Sequence, residues 1–170
     1  MDLLDRLLGH NAWTTSELLF HSRNLFDVQL DREFDIAHRT VRATFEHVIR
    51  NMEVWSDLMD GKPVDWPTAH RRNIAEFTEH LDVTAANLAR VDRSVASRNA
   101  WDERWIDTLD DPPTDKTYGG AIAHILAHSM HHRAQLLYML RMLAVTPLPE
   151  GNVFSWENRD RVQFGKKPVS

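Results

Sequence analysis

Four histidines lie close together in residues 124 to 132 of this 170-residue chain. Neutral imidazole nitrogens bind divalent metal ions, and histidines four residues apart lie one turn apart on the same face of a helix. His124 with His128, and His128 with His132, are therefore the two candidate ligand pairs. His124 and His132 would lie about 12 Å apart along the helix axis, so one metal ion takes only one of these pairs.

The position of each histidine around the helix favours one pair. The apolar residues of this segment form one face when they advance by about 100° per residue. His132 lies beside that face and His128 borders it, whereas His124 and His131 lie further towards the outside. Ligands inside a helical bundle must point inwards, so we expect His128 and His132 to form the pair.

A third ligand must come from another element of the protein. His47 is a candidate because it lies in the middle of a predicted helix, on one stripe with Asn51, Val54 and Leu58. Spacing alone leaves three competitors: His10, His21 and His80.

Four predicted helices position these residues. Apolar residues recur at helical spacing in about residues 2–26, 36–59, 73–97 and 119–144. The long connection over residues 99–117 contains a short stretch with an extended pattern at 101–107, and Pro147 and Pro149 begin an irregular tail over 145–170, with one turn expected from Ser155 as N-cap. We expect an all-α four-helix bundle over about 2–144, in a single domain of residues 1–170.

The composition narrows the classes of partner. The chain has 20 Lys and Arg against 25 Asp and Glu, a net charge of −5, and this argues against nucleic-acid binding. It has no cysteine, so neither a thiolate ligand nor a protein thiol nucleophile is available. No apolar stretch reaches the roughly 20 residues that span a bilayer, and the acidic start lacks a signal-peptide pattern. We expect a soluble, cytoplasmic protein.

Three segments of the sequence resemble the DinB-like, or YfiT-like, family of metal-binding four-helix bundles. They are residues 10–13 (HNAW), residues 46–55 (EHVIRNMEVW) followed by Gly61, and residues 124–136 (HILAHSMHHRAQL). The resemblance covers residues 1 to about 144. In that family the second-helix histidine and the last two of the histidines spaced by four bind the metal, which implies His47, His128 and His132 here. Ala134 stands where the family often has glycine, a difference that affects packing and not ligation.

Three histidine ligands leave at least one position for water or substrate, which is typical of a catalytic site. Imidazole ligands suit Zn or Ni, with Fe as a further option. The resembled family includes thiol-dependent S-transferases, a maleylpyruvate isomerase and proteins described as metal-dependent hydrolases. The resemblance thus implies a low-molecular-weight thiol and a small electrophilic substrate. The alternative is a metal-binding stress-response module without catalysis.

The residues around the candidate metal ligands indicate less about function. Glu46 and Glu53 lie away from the stripe of His47, so the sequence identifies no catalytic acid or base. We expect Asn11 to be buried and to satisfy backbone groups. We expect Arg133 to form a salt bridge with an acidic residue on a neighbouring helix. Similar bundles often dimerise through two helices, and Trp13 and Phe20 lie opposite the apolar stripe of the first helix, so we expect a homodimer.

Overall fold

The computed structural model describes residues 1–66 and 71–159. The chain forms, in order, α1 (Leu3–Ser22), α2 (Asp27–Leu30), α3 (Val41–Met59), α4 (Ile74–Ser97), β1 (Arg104–Asp107), β2 (Thr114–Thr117), α5 (Tyr118–Met142) and α6 (Val153–Glu157). Helices therefore dominate the described part of the chain, which confirms the expectation of a mainly helical protein. None of its helices has both the length and the apolarity that crossing a bilayer requires.

The four long helices pack around a common apolar core. α3 contacts α4 and α5, and α1 contacts the same two helices. The largest side chains that are completely enclosed come from all four helices: Leu18, Leu19, Phe45, Ile49, Met52, Phe77, Leu81, Ile125, Leu136, Met139 and Leu140. Burial of this apolar surface is the main force that holds α3 and α5 side by side, and these two helices carry the predicted ligands.

The starts of α3 and α5 are set by threonine caps. The hydroxyl oxygen of Thr40 accepts a hydrogen bond from the backbone N–H of Ala43, and that of Thr117 accepts one from Gly120. Such caps satisfy N–H groups that have no partner within the helix. The helix predicted from residue 36 therefore begins only at Val41, and the first predicted helix ends at Ser22 rather than near residue 26.

Residues 31–40 form a loop instead of the first turns of the predicted second helix. Arg39 has a φ of 65°, in the left-handed region, which interrupts any right-handed helix there. The backbone N–H of Phe34 donates to the carbonyl oxygen of Arg39 at 2.7 Å, so the loop closes on itself. This correction matters because His38 lies in the loop.

The connection between α4 and α5 contains a β-hairpin. β1 and β2 pair antiparallel, with Trp105 opposite Lys116. The extended segment predicted at 101–107 is thus present over 104–107, whereas its partner strand was not predicted.

The segment after α5 is more ordered than the sequence indicates. Asn152, and not Ser155, caps α6 by accepting a hydrogen bond from the backbone N–H of Ser155. Trp156 is buried against α1, where a Cβ atom added to Gly9 would lie 2.3 Å from its Cζ2 atom. The expected irregular tail is therefore wrong for 153–157; its residues 160–170 lie outside the described residues.

Candidate metal site

α3 and α5 bring the three predicted ligands together. The Nε2 atoms of His47 and His128 lie 2.9 Å apart. The ring of His132 lies 4.6 Å from that of His47 and 4.4 Å from that of His128, measured between centroids. The helix places His128 and His132 on one face, as the four-residue spacing predicts.

A fourth histidine, His38, joins this cluster. Its ring stacks on that of His47 with 3.7 Å between centroids and lies 5.0 Å from that of His132. One nitrogen from each of His38, His47 and His132 lies within 4.8 Å of the other two. His38 was not a predicted ligand, because residue 38 falls within the second helix that the sequence predicts. The available signal was Thr40, a preferred N-cap residue type that marks the end of a loop.

Burial keeps these imidazoles neutral. Desolvation, followed by the neighbouring histidines, lowers the pKa of His47 from 6.5 to about 4, and the same causes lower the pKa of His128 to about 4. Desolvation also lowers the pKa values of His38 and His132. A neutral imidazole offers the lone pair that a metal ion needs.

A hydrogen-bond chain orients His132. Its Nδ1–H donates to Oε1 of Gln135 at 2.7 Å, and the amide nitrogen of Gln135 donates in turn to Nε2 of His131 at 2.9 Å. Because Nδ1 carries the proton, the lone pair of His132 is on Nε2. A ligating histidine is commonly oriented in this way by a partner on its other nitrogen.

The competing histidines have other partners. Nε2 of His10 lies 2.7 Å from the carbonyl oxygen of Gly151, and Nε2 of His80 lies 3.1 Å from Glu53. The ring of His21 contacts Phe20 edge-on. The geometry thus distinguishes His47 from the rivals that spacing left open.

The donor set suits a divalent metal ion. Metal–nitrogen bonds of about 2.1 Å in a tetrahedral site place ligand nitrogens about 3.4 Å apart. The Nε2 atoms of His47 and His128 lie closer together than this, at 2.9 Å. The ligand nitrogens of His38, His47 and His132 lie within 4.8 Å of one another, a limit above this value. Among the described residues, Nδ1 of His128 is buried without a hydrogen-bond partner. Small side-chain movements would bring the nitrogens into a ligating arrangement.

A sequence model of the DinB family matches residues 1–157. The chain belongs to the DinB family. The resemblance carried by the three histidine-containing segments is thereby confirmed. A comparison with curated proteins matches none of them. Family membership agrees with the helical fold, whereas the ligand roles of His47, His128 and His132 stay predictions.

Two cavities flank the histidines of this DinB-family chain. One, of about 410 Å³, lies beside His47 and is lined mainly by α3 residues: Ala43, Glu46, His47, Arg50, Asn51, Val54 and Trp66. The other, of about 360 Å³, adjoins His124, Trp55 and Lys116. The ring of His124 lies 5.4 Å from that of His128 and 5.0 Å from that of Trp55. Both cavities are large enough for small molecules.

Charged residues near the cluster are engaged in pairs. Glu46 binds Arg72 at 2.5 Å, and Glu53 binds Arg50 at 2.6 Å. Both carboxylates are therefore paired with arginines, and Glu53 also lies 3.1 Å from Nε2 of His80.

Arg133 follows His132 on α5 but points into the interior. Its side chain donates to Oδ1 of Asn11, and burial lowers its pKa to about 10. Among the described residues, the amide of Asn11 is thus the partner of Arg133, in place of the carboxylate that the sequence predicts. Nδ2 of Asn11 reaches Sδ of Met52 at 3.2 Å, so Asn11 links α1, α3 and α5.

Proposed function

We propose that this protein is a metal-dependent enzyme whose His47, His128 and His132 hold one divalent metal ion, with Zn or Ni as first candidates and Fe as a third. The observation that carries the proposal is the convergence of neutral imidazole nitrogens from α3 and α5, with 2.9 Å between His47 and His128. The pairing of α1 and α3 with both α4 and α5 supports a four-helix bundle as the architecture, in one domain.

The proposed reaction is thiol-dependent S-transfer or hydrolysis. A bound divalent cation supplies Lewis acidity, which favours a thiolate, a hydroxide or a polarised carbonyl. The chain has no cysteine, so a reacting thiol would come from a low-molecular-weight cosubstrate. The 410 Å³ cavity supports a small electrophile as the second substrate, because it borders His47 and has apolar walls from Val54 and Trp66.

Metal content tests the site. We expect protein produced without a histidine tag to hold about one metal ion, and His47→Ala and His128→Ala to lose it while remaining folded. His21→Ala is the matched control, because His21 lies outside the cluster on α1. Unchanged metal content in both α3 and α5 variants would contradict the ligand assignment.

A substrate screen tests catalysis. We expect the metal-loaded protein to consume an electrophile with bacillithiol, mycothiol or glutathione, or to cleave an ester or amide. His47→Ala should abolish the same reaction. Metal binding without turnover across both panels would favour a metal-binding module without catalysis. His38 is the observation that favours this second candidate, since a fourth protein ligand is typical of closed structural sites.

We also propose that the protein forms a homodimer. Phe20 exposes 54% of its surface, and α5 exposes Tyr138 and Met142. Trp13 is half-buried and borders a cleft beside α6, so Phe20 carries more of this proposal. Light scattering should give twice the chain mass, and Phe20→Glu should lower that mass if α1 forms the interface. A concentration-independent monomer would refute the dimer.

A further inference from the structure

His38 reaches the histidine cluster from a loop, whereas the other three histidines lie on long helices. His47 is in the first half of α3, and His128 and His132 are in the middle of α5. His38 stacks on His47 and offers a nitrogen to the same group as His47 and His132. The described part of the chain thus presents four imidazoles where the family resemblance implies three.

The loop that carries His38 is anchored at both ends. Before it, Asp27 and Asp31 bind the buried side chain of Arg42 at 2.5 and 2.6 Å. After it, Thr40 caps α3. These contacts fix both ends of the loop, so the fold itself positions His38 next to the cluster.

The middle of the loop is less firmly held. Phe34 and Ile36 pack against the apolar core, whereas Glu33, Asp35, Ala37 and Arg39 between and beside them are exposed. Movement of the exposed positions therefore breaks few buried contacts. Arg39 adopts a left-handed backbone conformation that residues other than glycine rarely adopt. Such conformations persist where surrounding contacts hold them and are enriched at ligand sites and switch regions. The loop therefore combines anchored end points with an exposed, left-handed turn next to His38.

We propose that His38 is an exchangeable fourth ligand, which completes the coordination of the metal ion in the resting protein and gives up its position to an incoming ligand. This inference rests on the proposed metal site of His47, His128 and His132. It explains why four imidazoles, enough to complete a tetrahedral site, lie beside a cavity that borders His47. The incoming ligand that we propose is a thiolate, and free imidazole is the simplest probe of the vacated position.

Cobalt(II) provides a direct spectroscopic test. The metal-free full-length protein is loaded with Co²⁺, and its visible spectrum and Co²⁺ affinity are compared with those of His38→Ala. We expect the variant to bind Co²⁺ with an altered spectrum, and added imidazole to restore the spectrum of the unmodified protein. His124→Ala is the matched control, since this exposed histidine lies one turn from His128 on the same helix.

Ligand competition measures the exchange. If His38 occupies its position about 90% of the time, its removal should raise the apparent affinity for imidazole or 2-mercaptoethanol about tenfold. Circular dichroism and urea unfolding of the metal-free variant verify its fold.

The outcomes separate this inference from the proposed function. Identical Co²⁺ spectra and identical imidazole affinities in the unmodified protein and His38→Ala would overturn the role of His38 while leaving the metal site intact. Complete loss of Co²⁺ by folded His38→Ala would overturn exchangeability. Retention of Co²⁺ by His47→Ala and His128→Ala would instead refute the proposed site itself, and this inference with it.

Discussion

Gln135 accepts a hydrogen bond from Nδ1 of His132 at 2.7 Å and so leaves the lone pair of this imidazole on Nε2. The two residues are three positions apart on α5, so the helix itself keeps them in contact. His132 is buried and cannot easily find water as a substitute partner. The preference for one tautomer is therefore built into the helix that carries the candidate site.

We expect Gln135→Leu to weaken metal binding by about 10- to 100-fold, the usual effect of losing an outer partner of a ligating histidine. Gln135→Glu retains an acceptor for Nδ1–H and should bind the metal more tightly than Gln135→Leu. Competition with a chelator of known affinity measures both. Equal affinities of Gln135→Leu and the unmodified protein would show that Gln135 does not position His132.

The metal-free protein should become less stable as the pH falls from 6.5 towards 4. The pKa values of His47 and His128 are about 4 in the folded state because of burial, against 6.5 for an exposed histidine. Their contribution to stability is complete above pH 6.5, because both states are then neutral. Below it the unfolded chain binds protons that the folded chain resists, so the contribution is lost towards pH 4.

Urea unfolding at pH 7 and pH 5 measures this effect. Replacement of both residues, in His47→Gln with His128→Gln, should reduce the loss of stability between the two pH values. His21→Gln is the control and should behave as the unmodified protein does. An unchanged pH dependence in the double variant would exclude these two histidines as the cause.

The sequence predicted the helix positions better than the loop geometry. Apolar periodicity located the four long helices because burial of one face imposes a 3.6-residue repeat. The four-residue spacing likewise placed His128 and His132 on one face of α5. His38 escaped prediction because its position depends on the left-handed conformation of Arg39 and on where α3 begins, which have no periodic signal.

Long-range partners were equally hidden from the sequence. The contact between Gly9 and Trp156 joins the two ends of the described chain, 147 positions apart by their residue numbers. The amide of Asn11 replaces the carboxylate expected for Arg133. Neither local propensity nor composition encodes which distant side chain fills such a place, because this depends on how the helices are arranged.

Gly9→Ala should detach α6 from α1. The added Cβ atom would lie 2.3 Å from Cζ2 of Trp156, and overpacking of this kind costs about 1–3 kcal/mol. The variant should therefore unfold at lower urea concentration and be cleaved faster by protease near residues 145–152. Trp156→Leu removes the ring that clashes, so adding Gly9→Ala to it should cost less than in the unmodified protein. Additive effects would exclude the proposed contact.

Asp92→Asn should stabilise the protein at neutral and alkaline pH. Asp92 is 1% exposed, and neither of its carboxylate oxygens has a hydrogen-bond partner among the described residues. Burial raises its pKa from 3.8 to about 7. The unfolded chain ionises above pH 3.8 while the folded chain stays protonated up to about pH 7, so this residue lowers stability progressively across that interval.

The upper limit of this cost above pH 7 is about 4 kcal/mol, at 1.36 kcal/mol per unit of pKa shift. Asn cannot ionise, so Asp92→Asn should raise the free energy of unfolding at pH 8 by about 2–4 kcal/mol and change it little at pH 4. Asp82→Asn is the matched control, because Asp82 is exposed on the same helix. Urea unfolding at both pH values measures the difference. A gain of equal size at pH 4 and pH 8 would attribute it to packing, since ionisation of Asp92 contributes only at the higher pH.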